Sequence, residues 1–85
     1  MDYKGKEKLF HLRYKHLEVW PLDDGMICVM YKDCELKEAG SVVLKTEFGR
    51  GRTFDEACED YYQKISGKIL VFRTLDGKRE EVQVL

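Results

Sequence analysis

The chain has 85 residues, is 44% hydrophobic and 36% charged, and carries a net charge of −1 from 15 basic and 16 acidic side chains. A domain of that length buries little more than about 60% of its unfolded surface, so one modest core is expected over residues 1–85, while 12% aromatic content argues against disorder. The even charge argues against a duplex nucleic-acid binder, which draws affinity from neutralising phosphate, and no apolar run approaches the roughly 18 residues needed to span a bilayer.

The first ten residues, MDYKGKEKLF, are too polar for the hydrophobic region of a signal peptide, so a cytoplasmic location is expected. Charge is unevenly spread. A basic arm holds Lys4, Lys6, Lys8, Arg13 and Lys15, and an acidic cluster holds Asp55, Glu56, Glu59 and Asp60. The two could face each other or dock against another copy, and the pattern suits a protein partner better than a nucleic acid. From Lys8 to Trp20 the apolar positions switch parity near Lys15–His16, which predicts a strand with a bulge. A helix competes there, since Leu9, Leu12, His16 and Trp20 also share a helical face. Trp20 before Pro21 favours an extended exit. Trp20 itself reads as either a core lid or an exposed anchor.

Asp23-Asp24-Gly25 predicts a hairpin turn, Met26–Tyr31 a short apolar strand, residues 32–41 a loop, and residues 42–48 a third strand. Residues 49–72 are the most structured signal in the chain. Thr53 is an N-cap with Glu56 three residues on, as in a capping box. The helix is predicted from Phe54 to Ser66, with Phe54, Ala57, Cys58, Tyr61 and Ile65 on its apolar face and Gly67 as its stop. Residues 69–74 then form a strand, Asp76-Gly77 a second turn, and residues 80–85 a final strand. The order β-β-β-α-β-β predicts one α+β domain in two layers, an antiparallel sheet of about five strands crossed by one helix. The sheet's second face would carry His11, Arg13, Tyr31 and Lys45, and would be open to a partner or buried in a homodimer.

Three cysteines without a secretory signal argue against a disulfide framework. Cys28 and Cys58 read as small core residues, and Cys34, in a polar loop, as the exposed thiol. His11 and His16 match no closed zinc spacing, so no metal and no cofactor is expected. The acidic cluster reads as a solvated helix face, and no Cys–His pairing marks a nucleophile, so the chain is expected not to be an enzyme. Two candidate sites remain. Arg50, Gly51, Arg52 and Thr53 lie at a glycine turn before a helix, where amides and guanidiniums could hold a phosphate or carboxylate. The basic arm (Lys4, Lys6, Lys8, Arg13, Lys15) with Tyr62, at the edge of the helix's apolar face, could contact a protein.

The string from Gly49 to Phe72, G-x-G-x-T-x-x-E-A-x-x-D-Y-x-x-x-I-x-G-K-x-L-V-F, resembles a motif of small proteins encoded by phages and prophages of Gram-positive bacteria. Its G-x-T-x-x-E-A portion is similar to the strand-to-helix step of HicB-like antitoxins, from which the chain departs in lacking an appended DNA-binding segment. The phage resemblance implies a non-enzymatic accessory protein that binds and inhibits a host protein, in the manner of anti-CRISPR and other anti-defence factors. Two alternatives stay open: a small-ligand binder for phosphate or a nucleotide, and an orphan HicB-like antitoxin.

Overall fold

A computed structural model describes residues 5–10, 12 and 15–84. The element order is α1 (Gly5–Phe10), β1 (Leu17–Pro21), β2 (Ile27–Tyr31), β3 (Cys34–Lys37), β4 (Gly49–Gly51), α2 (Phe54–Ile65), β5 (Ile69–Arg73) and β6 (Arg79–Gln83). The α+β class holds, but the strands divide into two antiparallel sheets of three, ordered β1-β2-β4 and β3-β5-β6, in place of one sheet of five.

The break between the sheets lies at Lys32-Asp33. Asp33 adopts φ 54°, a left-handed conformation that Asp tolerates better than most residues, and it turns the chain directly out of β2 into β3. The segment expected to be a loop is therefore partly a strand. Cys34 and Leu36 alternate inward from it and are buried, while Glu35 and Lys37 are half-exposed. Residues 42–48 form no third strand. Leu36 and Lys45 make one isolated bridge, and Val42 is 93% exposed. Their β-branched residues satisfy local propensity but meet no core face, and tertiary packing wins.

The N-terminal strand is also corrected. Gly5–Phe10 is helical, and among the described residues of this stretch the strand is Leu17–Pro21. The helical alternative prevails because it buries Leu9 against the core, beside α2. Gly5 sits so close to the Glu59 backbone that a Cβ there would come within 2.6 Å of its Cα.

The predicted second helix is present nearly as read. Thr53 is extended, and its hydroxyl accepts a hydrogen bond from the Glu56 amide at 3.1 Å. Glu56 departs from a strict capping box: its carboxylate accepts from the Arg52 amide at 2.9 Å, one residue before the cap. Ala57, Cys58, Tyr61 and Ile65 are buried, but Phe54, in the first turn, is 37% exposed. Gly67 takes φ 77° after the C-cap Ser66, and Gly25 and Gly77 supply the positive φ of the two predicted hairpin turns.

One core joins both sheets to α2 and α1, through Val29, Tyr31, Leu36, Tyr61, Ile65, Leu70, Phe72 and their neighbours. Tyr31 is at its centre, with its ring centroid 5.7 Å from that of Tyr61 and 5.8 Å from that of Phe72. It belongs to the core and not to an open face. β4 is too short to reach the Tyr31 amide, which donates instead to the Tyr61 hydroxyl at 3.3 Å. The Tyr31 hydroxyl donates to the Leu9 carbonyl at 3.0 Å, so these buried polar atoms are paired.

Candidate protein-binding surface

Of the turn predicted as an anion site, Gly49–Gly51 is an edge strand and Thr53 is the cap of α2. Gly49 and Gly51 pair with Val29 and Ile27, and both face α2. A Cβ on Gly51 would meet the Ala57 nitrogen at 2.4 Å, so helix-to-strand contact by itself requires these glycines. The Arg50 amide, which points away from β2, donates to the Asp60 carboxylate at 2.8 Å. With the Arg52 amide on Glu56 and the Thr53 hydroxyl on the Glu56 amide, the groups that would capture an anion already hold the protein's own carboxylates or its helix cap. The Arg50 guanidinium pairs with Asp24, while Arg52 is exposed.

The basic arm divides. Lys4 and Arg13 lie outside the described residues. Lys6 pairs with Asp55 at 3.2 Å and lies 5.5 Å from the Phe54 ring, so this residue of the arm meets the acidic helix within one chain. Lys15 pairs with Glu80, with its ammonium 4.4 Å from the Phe72 ring centroid. Lys6 and Lys15 both line the mouth of an apolar recess of about 230 Å³, floored by Leu9, Leu17, Tyr31 and Cys58. Lys8 is exposed elsewhere on α1, and Tyr62, on α2, is half-buried against the core.

The thiols are unsuited to nucleophilic work. All three cysteines are free and buried, including Cys34, predicted to be exposed and found 7% exposed. Burial pushes the Cys34 thiol up to about 12 and the Cys58 thiol up to about 11, and raises that of Cys28. A two-residue turn in polar sequence does not reveal that the next residue, Cys34, re-enters the core. Among the described residues, no three His, Cys, Asp or Glu side chains gather as a metal site, and no helix is long and apolar enough to cross a membrane.

The first sheet brings together a pair that the sequence left apart. α2 covers the face bearing Val29, Tyr31, Gly49 and Gly51, and α1 packs on α2. The register places Trp20 opposite Cys28, and Cys28 opposite Arg50, on the other face. Two strand spacings separate Trp20 from Arg50, roughly 10 Å. Cys28 between them is buried, yet Trp20 is 38% exposed and Arg50 is exposed. The signal for this pair is the Asp-Asp-Gly turn, which sets Trp20 and Cys28 across from each other. Finding Arg50 beside them needs the β2–β4 pairing, which no local pattern states.

No protein family, curated protein or solved structure matches the chain.

Proposed function

We propose that the protein is a binding module that acts by occupying the surface of another protein. The observation that carries this reading is the Trp20–Arg50 pair, exposed on the sheet face that no described helix covers. Tryptophan and arginine are the residues most enriched at the energetic centres of protein interfaces, where a rigid ring and a planar cation bury much area at low entropy cost. Cys28 beneath them gives the pair a packed floor. The recess rimmed by Lys6 and Lys15 would take an apolar side chain of the same partner. In keeping with the phage resemblance of residues 49–72, the partner is a host protein and the effect is inhibition, with defence nucleases the first candidates.

The test is affinity capture from host lysate with wild type, Trp20→Ala and Arg50→Ala in parallel, each first shown to be folded by circular dichroism. A stoichiometric protein retained by wild type and lost by Trp20→Ala supports the reading. Equal capture by all three, or capture of a nucleotide with no protein, refutes it.

A further inference from the structure

The outer edge of β1 has the chemistry of a pairing surface. The Lys32 amide donates to the His16 carbonyl and the Leu22 amide to the Met26 carbonyl, each at 2.8 Å, so the even-numbered residues of this strand face β2. By alternation, the backbone groups of Leu17, Val19 and Pro21 point away from the sheet. Proline has no N–H, which leaves outward donors at Leu17 and Val19 and outward acceptors at all three residues.

Among the described residues, the other edges are closed or guarded. Leu36 on β3 and Lys45 exchange both backbone bonds, at 2.7 and 2.8 Å. Along β4, the Arg50 amide is held by Asp60, and the Arg52 amide just beyond by Glu56. β6 carries Arg79, Glu80 and Glu81, a charged edge that opposes strand addition. Pairing β6 with itself about its middle residue would set Glu81 against Glu81. β1 has one charge, Glu18, and leaves Val19 47% exposed beside Trp20.

We propose that β1 pairs antiparallel with β1 of a second copy, about a two-fold axis through Val19. Val19 and the partner subunit's Val19 exchange two bonds, and each Leu17 amide donates to Pro21 of the partner subunit. Those bonds use every outward donor of both strands, and proline ends the ladder at each side. The cross-strand pairs are Val19 with the partner's Val19, Leu17 with the partner's Pro21, and Glu18 with the partner's Trp20. No like charges meet. The product is a six-stranded sheet ordered β4-β2-β1-β1-β2-β4, with both α2 helices on one face and both Trp20–Arg50 pairs on the other. Five residues a side fall well short of the roughly 20–30 of a standard interface, so the dimer is weak, with Kd on the order of 100 µM.

Sedimentation of the full chain from about 10 µM to about 1 mM, with amide exchange at both ends of that range, tests the pairing. The expected result is a monomer-to-dimer shift in which the Leu17 and Val19 amides become protected and those of Arg79, Glu81 and Gln83 do not change. Val19→Pro removes the central donor at an edge position where proline is tolerated, and Val19→Lys sets two cations face to face. Each should weaken association at least tenfold, and Val19→Lys decides the matter if the proline variant unfolds. A monomer throughout, a dimer indifferent to both variants, or protection at β6 in place of β1 would overturn the proposal.

Discussion

Replacing Gly49 by alanine tests how α2 is seated. The added Cβ would lie 2.2 Å from the Ala57 carbonyl oxygen, 2.5 Å from the Tyr61 Cβ and 2.6 Å from the Tyr61 nitrogen. None of these atoms ends a flexible side chain, so no rotamer change relieves the clash, and strand and helix must separate. Overpacking costs about 1–3 kcal/mol where neighbours can adjust, and backbone on both sides places this substitution at about 3 kcal/mol. Relief of glycine's excess unfolded-state entropy returns about 0.4–1 kcal/mol, for a net loss of roughly 2–2.5 kcal/mol. In a domain of this size that lowers Tm by roughly 8–20 °C. Gly25→Ala is the control: its Cβ meets nothing within 4 Å, but its φ of 81° costs an L-residue about 1–2 kcal/mol. Urea titration of both variants, read by far-UV circular dichroism at constant m, measures the difference. A Gly49→Ala protein within about 0.5 kcal/mol of wild type would refute the seating of α2 directly on β4.

Thr53→Ala removes the cap on the Glu56 amide and should cost about 1 kcal/mol in the same urea titration, with Thr53→Ser close to wild type. Lys6→Ala breaks an ion pair whose side chains are both more than half exposed, so stability should fall by less than about 1 kcal/mol, and the difference from wild type should shrink as salt is added. The raised Cys34 and Cys58 thiols hold their protons more tightly in the folded state than the ordinary value of 9.0. Their contribution is full below pH 9 and is lost as pH rises toward about 11 and about 12, so alkaline titration should show stability falling in that window, less so in Cys34→Ala. By the same burial, native protein at neutral pH should react with iodoacetamide far more slowly than protein unfolded in urea.

Local sequence determined the elements whose signals are self-contained. Thr53, the Ala57-Cys58-Tyr61-Ile65 stripe and Gly67 specify α2 because cap, periodicity and stop each act within one or two turns. Asp24-Gly25 and Asp76-Gly77 likewise specify two hairpins, since each turn needs positive φ at one glycine and little else. Tertiary structure decided what local propensity leaves degenerate. Leu9 fits a strand or a helix equally well until α2 offers it a surface to pack on. Val42 and Val43 have strand propensity but stay exposed, because β5 pairs with the less obvious Cys34–Lys37. Gly49 and Gly51 read as a ligand-approaching turn, and only the closeness of α2 shows what they accommodate. The Trp20–Arg50 surface needs two pairings through Cys28, the nearby Trp20–Cys28 and the more distant Cys28–Arg50. A strand's side chains alternate between faces by local geometry, but its neighbour and the face that is covered are chosen by the packing of the whole chain.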